Sequence, residues 1–435
     1  MDKVPKEKHD HSALIFPKDF LWGAATSAFQ VEGNNTNADW WYWEQTHKPP
    51  EMRSGLAANQ YELYESDFDL AKKLGHNSHR LSIEWSRIEP TEGQFNQVEI
   101  DHYKTVLKAL KDRGFTVMLT LHHFTNPLWL AKKGGWESGK AAKYFERFVA
   151  KIVPELKDYV DFWITINEPG TYVFMSYMGG DGSGVFPPGK KSNWLGFKTT
   201  WNLASGHQKA YKTIHKLIPG AKVGVSQSFN SFEAYHKHSL SEQLAVIISD
   251  LMANHSFFWL TRKAHDFIGV NYYFHHRFRK DKGFIPKMVD PITQRRDVSD
   301  LGWETYPEGL FNVLADVSDG LPIYITECGI ASTNDDRRTR FLINYLQETY
   351  RAIRAGVNVK GFFYWSLIDN FEWHRGFEPR FGLVEVDYQT QKRTPRPSSY
   401  VYREIIKNNG IPHDLLKLLG HGIKVEEVLK EKIDE

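Results

Sequence analysis

Two glutamates each end a short apolar run that has the pattern of a β-strand. Glu168 ends the run WITINE, and Glu327 ends the run PIYITE. If both strands end at one rim, the two carboxyl groups would lie about 5 Å apart, the separation at which one carboxylate attacks an anomeric carbon while the other protonates the leaving oxygen. Like groups at this distance split their proton affinities, which leaves one ionised and one neutral near pH 7.

The residues around Glu168 also have a purely structural interpretation. Asn167, Glu168, Pro169 and Gly170 have the composition of a turn, and turns follow strands. Either glutamate by itself could be a strand-end residue that meets solvent. The chemical interpretation therefore depends on a fold that brings the ends of the two strands together.

Strand-like runs alternate with helical segments along the whole chain. The runs span residues 20–26, 79–85, 116–123, 161–167, 221–227, 266–273, 322–327 and 360–367. Eight strands with helices between them predict an α/β fold, a single (β/α)₈ TIM barrel. A doubly wound open sheet is the alternative, and the barrel is favoured because only one helical segment follows the eighth run. We predict a charged tail at 1–13, the barrel at 14–410 and a helical extension at 411–435.

Active sites of this barrel lie at the C-terminal ends of the strands, so the residues that end each run are the candidates. Polar groups crowd these positions. They are Gln30, Arg80, Glu84, His122, His123, Asn167, Glu168, Asn271, Tyr272, Tyr273, Glu327 and Trp365.

The composition of the chain bears on which molecules and which cell compartment to expect for it. The 55 basic and 53 acidic residues give a net charge of +2, so no electrostatic reason exists to expect nucleic acid or a membrane surface. No apolar run approaches the roughly 20 residues that cross a bilayer, and the N-terminus lacks the apolar stretch of a secretory signal. The single cysteine, Cys328, fits a reducing compartment, so a cytoplasmic location is expected. The chain has 14 tryptophans, and this number is consistent with a pocket in which indole rings stack on sugar rings.

Six motifs in a fixed order carry a family resemblance from about residue 14 to residue 408. They are QVEG (30–33), NEP (167–169), NYY (271–273), ITE-x-G (325–329), WSLIDNFEW (365–373) and RFGLVEVDY (380–388). Together they closely resemble glycoside hydrolase family 1, the β-glucosidase and β-galactosidase family. The resemblance implies a TIM barrel that hydrolyses β-glycosides with retention, binds a small carbohydrate and needs no metal or other cofactor.

The resemblance also implies roles for individual residues. Glu168 would be the acid/base and Glu327 the nucleophile, with Arg80, Asn271 and Tyr273 supporting the nucleophile. Asn167 would hydrogen-bond the sugar 2-hydroxyl next to the reacting carbon, and Tyr273 would also bind the substrate. Gln30, His123 and Glu372 would bind the hydroxyls at the far side of the ring. Trp365 would form the floor under the ring, and Trp373 would add a polar contact. The plain alternatives are an Arg80–Glu84 ion pair, a core histidine at 123 and simple packing of Trp365.

The chain departs from the family pattern at several positions. His123 is followed by Phe124 where the family has Trp, which alters the pocket wall, and Cys328 replaces the usual Asn beside the nucleophile, which predicts reduced or retuned activity. A Gly-rich insert lies at 179–184, and short loops predict an open barrel mouth. Glu372 is retained, and its charge would repel phosphate, so unphosphorylated β-glucosides are expected, with β-galactosides and β-fucosides as secondary substrates.

Two rival functions stay open at this level. The first is a binding protein that has kept the pocket and lost the chemistry, although both glutamates are present. The second is an added haem site, because the N-terminal stretch and short loops resemble a reconstructed ancestral family member that holds haem, and Tyr or His could be an axial ligand.

The His pairs at 122–123 and 275–276 lack the spacing of a helical zinc site. Residues 415–435 read as an amphipathic helix, and the oligomeric state is open.

Overall fold

The computed structural model describes residues 13–179, 186–281, 283, 285–420 and 422–429. Its centre is a closed barrel of eight parallel strands, in which each strand pairs with its neighbours in chain order and the last pairs with the first. The predicted barrel is therefore confirmed. The strands are β1 Leu21–Ala25, β2 Ser78–Ser82, β3 Thr116–Thr120, β4 Phe162–Asn167, β5 Val223–Ala234, β6 Phe267–Arg279, β7 Ile323–Cys328 and β8 Val359–Trp365.

A helix follows each barrel strand and covers the outside of the barrel. The principal helices are α1 Gln60–Lys73, α2 Gln97–Asp112, α3 Ala141–Leu156, α4 Asn193–Leu217, α5 Leu240–Asp250, α6 Pro307–Asp316, α7 Asp335–Arg354 and α8 Pro397–Lys407. Several begin at a polar cap, as where the Asn96 side chain accepts hydrogen bonds from the N–H groups of Val98 and Glu99. Within the described residues, no helix combines the length and apolar character needed to cross a membrane.

Shorter elements lie in the loops and at the chain ends. The shorter α-helices are Ala28–Val31, Asp39–His47, Trp85–Ile88, Leu128–Lys132, Pro169–Tyr177, Ser256–Leu260 and Val425–Leu429, with a π-helical turn at Leu251–His255. The 3₁₀ turns are Pro50–Met52, Gly135–Glu137, Lys157–Tyr159, Trp373–Arg375 and His413–Leu419. The remaining strands pair Ala13–Ile15 with Gly410–Pro412, Val384–Val386 with Arg393–Pro395, and Lys287–Met288 with β6.

Two apolar layers hold the fold together because side chains alternate between the faces of each strand. The inward faces fill the lower part of the barrel with large side chains, including Met118, Phe162, Ile164, Phe267, Tyr324 and Phe363. The outward faces pack against the helices in a second, larger cluster. The upper part of the barrel is left for polar groups.

The structure corrects several sequence-based boundaries. The second strand ends at Ser82 rather than residue 85, because Glu84 caps the helix Trp85–Ile88 by accepting from the Ser86 N–H at 3.2 Å. β5 and β6 continue to Ala234 and Arg279, well past their predicted ends, as a parallel ribbon beyond the rim.

The ends of the chain and the Gly-rich insert fall partly outside the described residues. The expected single helix at 415–435 is instead a 3₁₀ turn followed by Val425–Leu429, and residues 430–435 lie outside the described part. Residues 1–12 of the predicted tail and 180–184 of the insert also lie outside it. Ala13–Ile15 pairs with Gly410–Pro412, so the strand at the start of the described chain is joined to the segment that follows the barrel.

Candidate active site

Glu168 is held on a strained turn between β4 and the helix Pro169–Tyr177. Its backbone has φ 43° and ψ 59°, a left-handed conformation that is uncommon for a residue other than glycine. Its N–H donates to the Ser226 carbonyl oxygen at 2.6 Å, and Pro169 starts the helix. Strained backbone conformations of this kind cluster at functional sites. We therefore interpret the left-handed turn as the feature that positions the Glu168 carboxyl group.

Glu327 is held on the inward face of β7 by two donors. Arg80 Nη1 donates to one carboxylate oxygen, and the Tyr273 hydroxyl donates to the other at 2.9 Å. Arg80 Nη2 also donates to Asn167 Oδ1 at 2.5 Å, so one guanidinium spans β7 and β4. The alternative Arg80–Glu84 ion pair does not form, since Glu84 accepts from Ser86 and from Thr125.

Asn271 lies in β6, beside Glu327 in the sheet register, but its amide contacts the other glutamate. Nδ2 donates to Glu168 Oε1 at 2.7 Å. The amide is oriented by Ser226 and Thr326, whose hydroxyls each donate to Oδ1 at 2.7 Å. That Asn271 supports the nucleophile stays a prediction, and the direct hydrogen bond of its amide is to Glu168. Sequence reasoning missed Ser226 and Thr326, although Thr326 directly precedes Glu327.

The two glutamates have different electrostatic surroundings. Burial, and after it the charge of Glu327, raise the pKa of Glu168 to about 7 against the opposing effects of Asn271, Thr171 and Arg80. Glu327 has the cation and the phenol in direct contact, which stabilise its negative charge. Burial and the charge of Glu327 hold the pKa of Tyr273 far above its usual value, so the phenol remains a donor.

Gln30 and Glu372 lie together, as the resemblance implies for residues that bind one side of a ring. Gln30 Nε2 donates to Glu372 Oε2 at 3.3 Å and to the Phe371 carbonyl oxygen at 2.8 Å. Burial, and after it the charges of Glu327 and Glu168, raise the pKa of Glu372 to about 8, against the lowering effect of hydrogen bonds from Gln30 and Trp365. The expectation that Glu372 repels phosphate by its charge is weakened, because a pKa of about 8 favours a protonated carboxyl group at pH 7.

The raised pKa of Glu372 predicts a pH-dependent cost in stability. Because the folded pKa of about 8 is above the unfolded value of 4.5, ionisation of the group costs nothing below pH 4.5, progressively more between pH 4.5 and 8, and a constant amount above pH 8. Glu372→Gln, which stays neutral, is expected to be as stable as the parent near pH 4 and about 2–4 kcal/mol more stable near pH 9. Calorimetric melting across this range checks it, with the exposed Glu51→Gln as control. Parallel curves for the parent and Glu372→Gln would contradict the assignment.

Aromatic rings form the wall around the polar groups. His123 lies within 3.3 Å of the Asn167 amide, and its ring is nearly parallel to those of Trp365 and Trp373, with centroids about 6 Å away. Its Nδ1 is buried and has no hydrogen-bond partner among the described residues, and burial keeps the pKa of the ring far below 6.5, so the imidazole is neutral. The partnerless Nδ1 argues against a satisfied core histidine. Trp373 stacks on Phe29 and meets Phe124 edge-on.

Cys328 follows Glu327 but faces the other way. It is fully buried in the layer between barrel and helices, near Tyr272 and Tyr345, because alternate strand residues point to opposite faces. The thiol therefore does not contact the groups around Glu327, which argues against a direct effect on the pocket.

This position of Cys328 gives a testable expectation. Cys328→Ala should change kcat on an aryl β-glucoside less than about threefold, while lowering the free energy of unfolding by about 1–2 kcal/mol through lost packing. Steady-state kinetics and urea unfolding measure the two effects. A large drop in kcat with unchanged stability would show that the thiol acts on the chemistry after all.

A cavity lies at the N-terminal end of the barrel, opposite the end that carries Glu168 and Glu327. Its volume is about 540 Å³, and it is lined by strand-start residues such as Phe162, Phe267 and Tyr324. Two of its acidic residues, Asp161 and Asp266, accept from the backbone N–H groups of Val117 and Val223. None of the predicted site residues lines it, and the chemistry of this fold is found at the other end.

Comparison with known proteins identifies the family. The sequence matches glycosyl hydrolase family 1 over residues 12–261 and 251–411. The β-glucosidase A of Acetivibrio thermocellus is 32% identical over 92% of this chain and 100% of that protein. A β-galactosidase of Pyrococcus woesei is 31% identical over 94% of this chain and 100% of its own length. The solved structure of a β-glycosidase from Pyrococcus horikoshii superposes with a TM-score of 0.87 at 38% identity, covering 94% of this chain and 98% of that one.

These matches extend over almost the whole barrel and both strands that carry the glutamates. Hydrolysis in this family needs no cofactor. The resemblance read from the six motifs is confirmed, and the chain belongs to glycosyl hydrolase family 1, as a retaining glycoside hydrolase.

Proposed function

We propose that the protein is a retaining β-glycosidase of unphosphorylated β-glucosides, with Glu327 as nucleophile and Glu168 as acid/base. One observation carries this assignment, namely that the two carboxyl groups have contrasting hydrogen-bond and charge partners. Glu327 is paired with Arg80 and Tyr273, while Glu168 is buried, accepts from a neutral amide and has its pKa raised to about 7. One is suited to carry a negative charge and the other to hold a proton.

In the first step, a carboxylate oxygen of Glu327 attacks the anomeric carbon and forms an ester bond. The bond from that carbon to the leaving oxygen breaks, and Glu168 gives its proton to this oxygen. As the ester forms, Glu327 loses its charge, so Arg80 is freed to strengthen its bond to Asn167. Asn167 is placed to bind the sugar hydroxyl next to the reacting carbon, where a contact strengthens in the transition state.

In the second step, Glu168 acts as a base. Burial still raises the pKa of Glu168, but with Glu327 esterified the added rise from its charge is gone, so the Glu168 carboxylate left by the first step is easier to keep ionised and can accept a proton from water. The water oxygen attacks the anomeric carbon from the face that the leaving group vacated, and the ester bond to Glu327 breaks. Two inversions give net retention, and the enzyme returns to its starting protonation state.

The substrate class is supported by the polar group around Gln30 and Glu372. A protonated Glu372 can both donate to and accept from a sugar hydroxyl, and Gln30 offers an amide beside it. Within the part of the chain that the structure describes, the hydrogen bonds to Glu372 come from the neutral side chains of Gln30 and Trp365, and this uncharged surrounding supports the preference for unphosphorylated sugars. β-Glucosides are proposed as the main substrates, with β-galactosides and β-fucosides as secondary ones. The names of the relatives, which include β-glucosidases and β-galactosidases, agree with this choice.

Kinetics on a panel of nitrophenyl β-glycosides tests the proposal. The β-glucoside should have the highest kcat/KM, the β-galactoside and β-fucoside lower values, and the 6-phospho-β-glucoside the lowest. Proton NMR at early times should detect the β-anomer of released glucose before mutarotation. Turnover confined to phosphorylated sugars would overturn the substrate assignment, and early α-glucose would overturn the mechanism.

The rival functions make different predictions. A binding protein without chemistry would bind glucose or a glucoside with no turnover in this panel. Two side chains of the pocket that could be axial haem ligands already make other contacts. The Tyr273 hydroxyl donates to Glu327, and the His123 ring lies against the Asn167 amide. The proposal therefore does not include haem, and a Soret band after incubation with haemin would be needed to add it.

A further inference from the structure

One side of the barrel carries apolar side chains that have nothing packed on them. On α5 and the π-helical turn after it, exposed aliphatic residues recur at the spacing of one helical face, while only Glu242 of α5 is fully buried. These residues are 38–82% exposed. They are Leu240, Leu244, Ile247, Ile248, Leu251 and Met252.

The neighbouring helix α4 presents a second exposed stripe near its start. Trp194, Phe197 and Trp201 are 75%, 52% and 66% exposed, and their spacing places them on one face. The two helices follow consecutive barrel strands, and Gln208 of α4 donates to the Leu260 carbonyl oxygen just beyond the α5 segment. We call these nine side chains on α4 and on residues 240–252 the α4–α5 face.

The exposed area of the α4–α5 face is that of an interface. Its three aromatic rings alone leave about 300–500 Å² uncovered, given about 150–250 Å² for each full ring. The largest apolar patch on a typical monomer is about 300–600 Å². The six aliphatic side chains add a comparable amount, which brings the total to the roughly 800 Å² that each partner buries in a stable complex.

The charges around the face argue for a protein partner and against a membrane. Helices that lie on membranes carry several Lys and Arg residues on their polar face, whereas residues 240–260 contain neither and the α4 stripe carries one exposed cation, Lys198. The two acidic side chains of α5 are engaged within the chain. Glu242 is buried against His236 and Lys280, and Asp250 pairs with His255 and Asn254.

We propose that the α4–α5 face is the interface of a homodimer, with a second copy of this chain as its occupant. An interface about a two-fold axis must be self-complementary, because each residue meets a patch identical to its own. The aliphatic stripe of residues 240–252, whose two acidic side chains are engaged within the chain, meets this requirement, and the exposed Lys198 lies beside it among the flanking rings of α4. A face for a different protein gains specificity from complementary charges. Two α5 helices packed across the axis would cover the aliphatic stripe, and the α4 rings would flank it.

Sedimentation velocity of the full chain over a range of protein concentrations tests the proposal. The parent should sediment as a dimer of the 50.5 kDa chain. The double variant Leu244→Glu with Ile248→Glu should raise the dimer dissociation constant at least about 100-fold, because it buries charges without partners. Val98→Glu, which changes an even more exposed apolar residue on α2, is the control and should remain dimeric.

Two further readouts separate a lost interface from a lost fold. The double variant should keep the parent's far-UV circular dichroism and its hydrolysis of a nitrophenyl β-glucoside. If it does not fold, the pair Trp194→Ser with Trp201→Ser takes its place and should give the same shift to monomer. A parent that sediments as a monomer, or folded face variants that stay dimeric, would overturn the proposal, and so would a monomer that binds uncharged phosphatidylcholine vesicles.

Discussion

Replacement of Glu327 by Ala is expected to lower kcat on a nitrophenyl β-glucoside by about 10⁴-fold or more, because no covalent intermediate can form. The cavity left beside Arg80 and Tyr273 should admit azide, a small anion that can attack the anomeric carbon from the side where the carboxylate stood. Since this is a single inversion of a β-glucoside, the product should be the α-glucosyl azide. Rate recovery with azide and NMR of the product measure the result.

The matched control for Glu327→Ala is Cys328→Ala, which removes the next side chain of the same strand. It should keep nearly full kcat and give no glucosyl azide, because its side chain faces the helices. A Glu327→Ala enzyme that folds and keeps substantial activity without azide would remove Glu327 from the chemistry. So would a β-configured azide product.

Replacement of Glu168 by Ala is expected to have an effect that depends on the leaving group. A dinitrophenyl glucoside, which leaves without a proton, should still form the glycosyl-enzyme in a rapid burst. A glucoside with a poorly acidic leaving group should lose about 10²–10⁴-fold in kcat/KM, the usual contribution of general acid catalysis. Azide should enter from the face opposite Glu327 and restore turnover of the dinitrophenyl substrate, giving the β-glucosyl azide. The two variants should thus yield opposite anomers.

The pH profile offers an internal check on Glu168. Because the acid must be protonated and its pKa is raised to about 7, kcat/KM of the parent should fall as the pH rises above 7. In Glu168→Ala this alkaline fall should disappear for the dinitrophenyl substrate. Its persistence, or an α-configured azide product, would assign the proton to another group.

The barrel and the core of the site were predictable because they follow from local pattern. Apolar runs separated by helical segments gave eight strands, and parallel strands place their C-terminal ends at one rim. To predict that Glu168 and Glu327 lie near Arg80 and Tyr273, it was then enough to assign four of these strands. The outward direction of Cys328 was also available from the alternation of side chains along β7, although the family pattern drew attention to the thiol instead.

What the sequence did not reveal depends on contacts between distant parts of the chain. The direction of the Asn271 amide is fixed by hydroxyls on β5 and β7, and no local signal encodes that choice. The protonation of Glu372 follows from burial near two other carboxyl groups, which only the assembled pocket produces. The long ribbon of β5 and β6 and the exposed α4–α5 face depend on what other segments leave uncovered.

The most direct test of the catalytic assignment is covalent trapping with a 2-deoxy-2-fluoro-β-glucoside that carries an activated leaving group. The fluorine slows both steps, and the good leaving group restores the first, so the glycosyl-enzyme accumulates. Digestion and tandem mass spectrometry should find one fluoroglucosyl group, attached to Glu327. A label on Glu168 or another residue, or turnover without any labelled peptide, would contradict the roles given to the two glutamates.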